Sequence, residues 1–378
     1  MSTPPTPPAC VAFVSNSIRY LFTHRFDAIN AFRQNGYRVL ILAPQDIPVP
    51  EFNQAGIEHV PIAFSNKSLS VADAWTLHQT LVRLYRQHRP QVAFHYAIKV
   101  NIFGNFAAAR AGVACVSIIA GIGYAFQKSN WLSLLVQQLY SRALRLAKEV
   151  WFVNPEDAEL FLQKGLVPVD KMVLLNSEGI NTAKFCRSTL SETYTPEVPF
   201  TFCCTTRPLY SKGIETIIEA IKILKAKGHA VQFVLAPMPD AGHPDEISLT
   251  QLQAWETAGL LRLASFTLDV RPLLAASHCF LLPSFYNEGV PQSLLEAASM
   301  ELPIITTNQK GCKESIVEGQ TGLFCQSRNP QHLAEQMEHM LLLPTQTRLA
   351  MGRAGRRLMQ EKFDIARICA QYLRVAKS

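Results

Sequence analysis

From Val11 to Phe324 the chain alternates short apolar runs with longer stretches whose apolar residues recur at helical spacing. Runs that are apolar at successive positions bury both faces, so strand and helix alternating in this way predict parallel sheets covered on both sides by helices. In the first half the runs fall near Val11–Val14, Arg38–Leu42, His59–Ile62, Val92–His95, Cys115–Ile119, Val150–Val153 and Met172–Leu175. Gly36, Pro90 and Gly112 punctuate the turns between them. Residues 177–199 lose the periodicity and gather Ser, Thr, Glu and Pro, which reads as a linker. A second series follows at Phe200–Cys204, Val231–Leu235, Leu261–Leu263, Cys279–Leu282, Pro303–Thr306 and Gly322–Phe324. The expected architecture is therefore α/β, with two Rossmann-like doubly wound domains facing across a cleft, over residues 11–176 and 200–360. A helix over 361–378, broken from the preceding tail near Phe363, can cross back to the first domain.

At 378 residues and 48% hydrophobic, the chain exceeds one ordinary core and suits two. Residues 1–10 are rich in Pro and Thr and lack both a basic start and an apolar stretch, so they are expected to be a disordered leader and not a signal peptide. No run approaches the ~18 apolar residues of a membrane span. Nine cysteines without C-x-x-C spacing fit a reducing, cytoplasmic setting. The net charge of +7 is uneven: residues 1–150 carry 14 Lys and Arg against 6 Asp and Glu, the remainder 22 against 23. A basic first half favours an anionic partner, either a membrane surface or a phosphorylated acceptor. No nucleic-acid-binding signature accompanies it.

The chemistry concentrates in Ser284-Phe285-Tyr286-Asn287-Glu288-Gly289-Val290-Pro291, followed by Gln292-Ser293-Leu294-Leu295-Glu296. Pro291 reads as the first helical residue, with Glu288 in the preceding loop and Glu296 about two turns into the helix. Between the two acids a helix N-terminus offers free N–H groups, a place for a phosphate flanked by carboxylates that can accept from sugar hydroxyls. A surface loop and an ordinary helix with solvated acids explain the same residues. Strand, loop, helix, strand around this point sets the loop at the carboxyl end of its strand, where open α/β sheets bind ligands. Arg207, ending the first strand of the second series, and Lys212, opening its helix, can converge on one pyrophosphate; a solvated basic turn is the alternative.

In the first half, Asn16 and Ser17 end the opening turn and could meet a donor phosphate, with Arg25 on the helix that follows as a further contact. His95 finishes an apolar strand at the expected ligand rim, and Lys99 lies one turn beyond; a structural histidine is the other reading. Gly121-Ile122-Gly123 is only loosely a phosphate loop, because its spacing fails the dinucleotide fingerprint. The helical pattern from Trp131 to Lys148 sets Trp131 and Leu134 on the same arc as Arg142 and Arg145, as in a membrane-interface helix, unless a neighbouring loop covers them. No Asp-x-Asp and no metal-ligand spacing occurs, so metal-assisted departure of a leaving group is not indicated.

These residues resemble the retaining glycosyltransferases of family four, the large GT-B group with a Glu-x7-Glu motif. Over 200–330 the family order is kept by Arg207 and Lys212, Leu282-Pro283-Ser284, Glu288-Gly289-Val290-Pro291, Glu296-Ala297, Pro303-Ile304-Ile305, Gly311 and Glu314, and Gly319 to Gly322. Before that it is traceable at Gly36-Tyr37-Arg38-Val39, His95, Gly121-Ile122-Gly123 and Gly179-Ile180-Asn181. The resemblance implies that Glu288 contacts the donor sugar, Glu296 the ribose hydroxyls, and Arg207 with Lys212 the pyrophosphate. Gly289, Val290, Pro291, Asn16 and Ser17 would complete the donor site. His95 would lie on the acceptor side of the reacting carbon, with Arg25, Lys99 and Gly123 nearby. Two departures stand out: Asn16-Ser17 replaces a usual Gly-Gly turn, and Thr206 replaces the Gly before the arginine. The implied reaction moves a hexose or N-acetylhexosamine from a UDP-sugar to a polyprenyl-diphosphate-linked or polysaccharide acceptor, without cofactor or metal. It would take place on the inner face of the cell membrane, bound peripherally to anionic lipid. A sugar-nucleotide epimerase on the same scaffold and a non-catalytic membrane-associated binding protein are the competing classes.

Overall fold

The computed structural model describes residues 8–63, 70–121, 131–175, 177–189, 199–238, 243–267, 269–286 and 289–377. They form two units, Met1–Glu178 with Ile365–Ser378, and Gly179–Asp364. The first contains, in chain order, β1 (Cys10–Val14), α1 (Ile18–Gln34), β2 (Arg38–Ala43), α2 (Pro50–Gln54), β3 (Glu58–Pro61), α3 (Val71–His88), β4 (Val92–Tyr96), α4 (Ile98–Ala111), β5 (Ala114–Ile119), α5 (Trp131–Leu144), β6 (Glu149–Phe152), α6 (Pro155–Gln163) and β7 (Met172–Leu174). The second contains β8 (Phe200–Thr206), α7 (Ile214–Ala226), β9 (Val231–Pro237), α8 (Leu249–Thr257), β10 (Arg262–Leu263), α9 (Arg271–Ala275), β11 (Cys279–Leu282), α10 (Gln292–Ser299), β12 (Ile304–Thr307), β13 (Gly322–Cys325), α11 (Pro330–Leu342) and α12 (Thr345–Leu358). The last helix, α13 (Ile365–Lys377), returns to the first unit.

All strand pairings within these two sheets are parallel. The seven-stranded sheet has the order β3-β2-β1-β4-β5-β6-β7 and the six-stranded one β10-β9-β8-β11-β12-β13. Every apolar run named above forms a strand within two residues of its expected bounds, and the fold class follows from that: two Rossmann-like doubly wound domains.

The reason is visible in β1. Cys10, Ala12 and Val14 pack into one apolar cluster with α3 and α4, while Val11 and Phe13 pack into another with α1 and β2. Side chains alternate faces along a strand, so a run that must fill both layers has no polar position to spare. On the second face the Phe13 ring lies 5.1 Å from Phe94 and 5.9 Å from Tyr372 of α13. Tyr372 also meets Phe94 and Trp151, both at 4.8 Å, and shares a 2.6 Å hydrogen bond with the Tyr96 hydroxyl. Arg374 grips Glu149 through both carboxylate oxygens. The second unit has one continuous core, built on both faces of β8, β11 and β12. Among the described residues, no helix is long and apolar enough to cross a membrane.

The first unit ends on a buried ion pair. The Arg25 and Glu178 side chains, 2% and 13% exposed, are joined directly, and the Tyr20 hydroxyl donates to the same Glu178 oxygen at 2.7 Å. Burial alone would raise the Glu178 carboxyl, but Arg25, His24 and Tyr20 outweigh it and hold it below the usual carboxylate value. Replacing Arg25 with Leu leaves that carboxylate buried without its cation, at a cost of about 3–5 kcal/mol. Calorimetry should show the melting temperature falling by roughly 10 °C, with much of the loss recovered when Glu178→Leu is added.

Candidate active site

A doubly wound sheet opens a crevice where neighbouring strands send their connections to opposite sides. In the second unit that point lies between β8 and β11. The turn after β8 carries Arg207 and, through a single 3-10 turn at Tyr210–Lys212, Lys212. The segment after β11 runs through Ser284, Phe285 and Tyr286, and beyond 287–288 reaches α10. The two loops are tied by backbone: the Ser211 carbonyl accepts from Phe285 N–H at 2.9 Å and from the Ser284 hydroxyl at 3.3 Å. Gly213, at φ +78, allows this approach, since a Cβ there would run into the Pro283 carbonyl oxygen. On the other side, the Asp245 carboxylate accepts from Ser211 N–H at 2.8 Å and the Asp245 carbonyl from Tyr210 N–H at 3.0 Å.

The outcome is that the two cations expected to hold phosphate converge. Lys212 Nζ lies 5.4 Å and Arg207 Cζ 6.0 Å from the centroid of the Tyr286 ring, within cation–π range. Lys212 is buried and Arg207 half-buried. Glu288 lies outside the described residues, two positions beyond that ring. Gly289 and the buried Val290 lead into Pro291, which is the N-cap of α10 and not its first residue. Glu296 is therefore the fifth helical residue, one turn in rather than two. No side chain caps α10. α10 begins beyond the carboxyl end of β11, the strand next to β8 whose turn carries the cations, and a helix N-terminus at such a place suits an anion.

Glu296 is half-buried. Burial pushes its carboxyl up to about 8, with Lys184 pulling down and Asp269 adding to the rise. The unfolded reference is 4.5, so between pH 4.5 and 8 the folded chain holds a proton that the unfolded chain has released. Stability attributable to this group falls as pH rises through that window and is level on either side of it.

The first unit has its switch point between β1 and β4, where Ser17, Arg25 and His95 are each engaged by groups of the protein itself. The α1 N-terminus, expected to receive phosphate through Asn16 and Ser17, is already filled. The Ser17 hydroxyl caps Tyr20 N–H at 3.1 Å and donates to Asp46 at 2.5 Å, while the other Asp46 oxygen accepts from Ile18 and Arg19 N–H, each at 3.1 Å. A carboxylate of the protein's own occupies the anion position, and like charge opposes a second anion there. Asn16 accepts from the Ser15 hydroxyl. Arg25, expected as a ligand contact, is buried in its pair with Glu178. His95 is also not at a rim. The strand continues to Tyr96, and the imidazole is fully buried between Tyr85 of α3, 2.7 Å away, and Asn105 of α4, at 2.6 Å. Burial pushes it down to about 4, with the Asn105 hydrogen bond acting in the opposite direction. Gly104 makes room for it, since a Cβ there would come 3.0 Å from the ring. Lys99 is half-buried in the first turn of α4, after Ala97 at φ 73. Gly123 lies outside the described residues. On α5, Leu134 and Leu135 are 62% and 55% exposed; Arg142 and, just past the helix, Arg145 are exposed as well, and the Trp131 side chain lies outside the described residues.

Asp46, Asp245 and Tyr286 are the positioning groups that the spacing of residues alone did not single out. The first two act across turns distant in sequence, and Tyr286 stood within the motif without an assigned role. For Glu296→Gln, melting curves against pH should coincide with the parent near pH 4 and lie about 2–4 °C higher per kcal/mol relieved above pH 8.

Comparison with known proteins assigns both halves. A family model described as "Glycosyl transferase 4-like domain" matches residues 24–176, and one described as "Glycosyl transferases group 1" matches residues 199–342. The chain is 26% identical over 345 residues, 88% of this chain and 89% of the other, to the N,N'-diacetylbacillosaminyl-diphospho-undecaprenol alpha-1,3-N-acetylgalactosaminyltransferase of Campylobacter jejuni. It is 23% identical over 239 residues, 61% of each chain, to the UDP-Gal:alpha-D-GlcNAc-diphosphoundecaprenol alpha-1,3-galactosyltransferase of Escherichia coli. Among solved structures, a glycosyltransferase from Rickettsia africae superposes with a TM-score of 0.80 at 16% identity over 98% of both chains. The Anabaena protein HepE, in complex with UDP and glucose, does so at 0.78 and 16% identity, over 98% of this chain and 99% of the other. Two Rossmann-like sheets, each matched by its own glycosyltransferase family model, make this protein a member of the GT-B glycosyltransferases.

Proposed function

We propose that this glycosyltransferase moves a hexosyl or N-acetylhexosaminyl unit from a UDP-sugar to a hydroxyl of a polyprenyl-diphosphate-linked glycan, with retention at the anomeric carbon. The observation that carries the reading is the meeting of Arg207 and Lys212 over Tyr286 at the β8/β11 switch point, beside an uncapped helix N-terminus. Charge develops on the departing diphosphate as the anomeric C–O bond breaks, and the two cations and the α10 amides are aimed there. Glu288 holds the sugar and Glu296 the ribose diol. The acceptor oxygen attacks from the face the diphosphate leaves, and its proton passes to the leaving phosphate oxygen. No metal ion is required, in keeping with a sequence that has no Asp-x-Asp. The relatives named for undecaprenol-linked acceptors support the acceptor class, and HepE bound to UDP supports the nucleotide.

Glu288→Ala should lower turnover by about two orders of magnitude or more, because a contact made in the transition state is lost. UDP binding by calorimetry should persist, since this acid serves the sugar. Turnover close to normal would reject the assignment. UDP release without any lipid-linked acceptor would favour epimerase chemistry instead.

A lipid-linked acceptor brings the enzyme to a bilayer on its inner, cytoplasmic side. Exposed Leu134 and Leu135 of α5, with Arg142 and Arg145 in the same segment of the more basic half of the chain, supply an apolar and cationic face for peripheral binding. Each basic residue near an anionic surface contributes about 1 kcal/mol, which salt screens. The protein should therefore float with anionic vesicles at low salt, and the double change Arg142→Glu with Arg145→Glu should abolish most of that flotation. Equal binding to neutral vesicles would count against the face.

A further inference from the structure

Beyond β13 the chain turns sharply into α11, whose N-cap is Asn329, its side chain accepting from His332 N–H at 3.0 Å. The residue before it, Arg328, sits at φ +55, in the left-handed region that a side chain disfavours and glycine adopts freely. Among the described residues, Arg89, Ala97 and Glu301 are the other non-glycine positions in this region, so the conformation alone assigns Arg328 no role and its contact decides. The side chain has one described aromatic contact: its Cζ lies 4.1 Å from the centroid of the Phe285 ring. Phe285 is held from the other direction by its N–H bond to Ser211. The next residue is Tyr286, the ring over which Arg207 and Lys212 meet, and its own N–H donates to the Ser284 hydroxyl at 3.2 Å.

We propose that Arg328 is a positioning residue, which by stacking on Phe285 fixes the Tyr286 platform and so the convergence of Arg207 and Lys212 on the donor diphosphate. The proposal rests on the donor reading above for its consequence, but not for its geometry. Arg328 is exposed and Phe285 half-buried, and a cation stacked on such a ring stabilises the arrangement modestly, so the effect is one of affinity and not of folding.

Strain and stacking pull in opposite directions, which separates this role from a structural one. Arg328→Gly removes the left-handed strain together with the cation, and Arg328→Asn tolerates the conformation without the stack. Both should melt at or above the parent temperature. Both should nevertheless weaken UDP binding by calorimetry roughly three- to five-fold, raise KM for the UDP-sugar more than they lower kcat, and speed hydrogen exchange at the Phe285 and Tyr286 amides. Arg328→Lys, which keeps a cation, should recover most of each effect. In a Phe285→Leu background, Arg328→Gly should add nothing. Parent-like exchange at Phe285 and Tyr286 in the Gly and Asn variants overturns the proposal whether or not UDP binds. Failure of the parent protein to bind UDP, with the exchange changes present, would instead overturn the donor reading and leave the clamp standing.

Discussion

A single carbonyl oxygen does much to define the cation-bearing edge of the second unit. Ser211 accepts from both the Phe285 amide and the Ser284 hydroxyl, and Gly213 lets the two stretches of backbone come close enough for it. Without that junction, Arg207 and Lys212 would ride on one loop and Tyr286 on another, each with its own freedom. Cations that stabilise a departing diphosphate are effective when they need not reorganise as charge develops. Backbone bonds of this kind, partly buried and spanning two strand ends, supply that fixity without depending on long side chains.

The two sheets have parallel designs but treat their helix termini differently. At the second switch point neither α10 nor α7 has a capping side chain. At the first, the terminus of α1, the helix that follows β1 as α7 follows β8, is closed by Ser17 and Asp46. The same backbone dipole is thus left available in one unit and satisfied internally in the other. The first unit places polar side chains in its core, where Tyr85, His95, Asn105 and Ser117 form a chain of hydrogen bonds linking α3, β4, α4 and β5. A neutral imidazole suits this position, because a charged one would be buried without a counter-ion.

Much of the fold was legible because burial on two faces leaves a strand little choice of residue: β1 and β11 are apolar throughout. That the turn after β8 and the segment after β11 would meet was legible from the βαβ pattern, which puts both at the carboxyl ends of strands in one sheet. What could not be read were contacts between residues far apart in the chain. Asp46 reaches Ser17 across 29 residues, and Arg25 reaches Glu178 across 153. No local spacing encodes either. His95 was misplaced for a different reason: alternation along a strand tells which residues share a face, but not whether the last of them faces helices or a ligand. Pro291 shows the limit at element ends, where one residue decides whether Glu296 lies one turn or two along its helix.

The topology of the first unit has a consequence for how the chain is made. Its core is closed by α13, with Tyr372 against Phe13, Phe94 and Trp151. During synthesis the amino-terminal sheet leaves the ribosome with that face uncovered, and the whole of Gly179–Asp364 must follow before the covering helix exists. The first unit to emerge is therefore the last to be finished. Nascent chains should spend that interval with aromatic surface open to chaperones, and a premature stop near the C-terminus would harm the unit farthest from it in sequence.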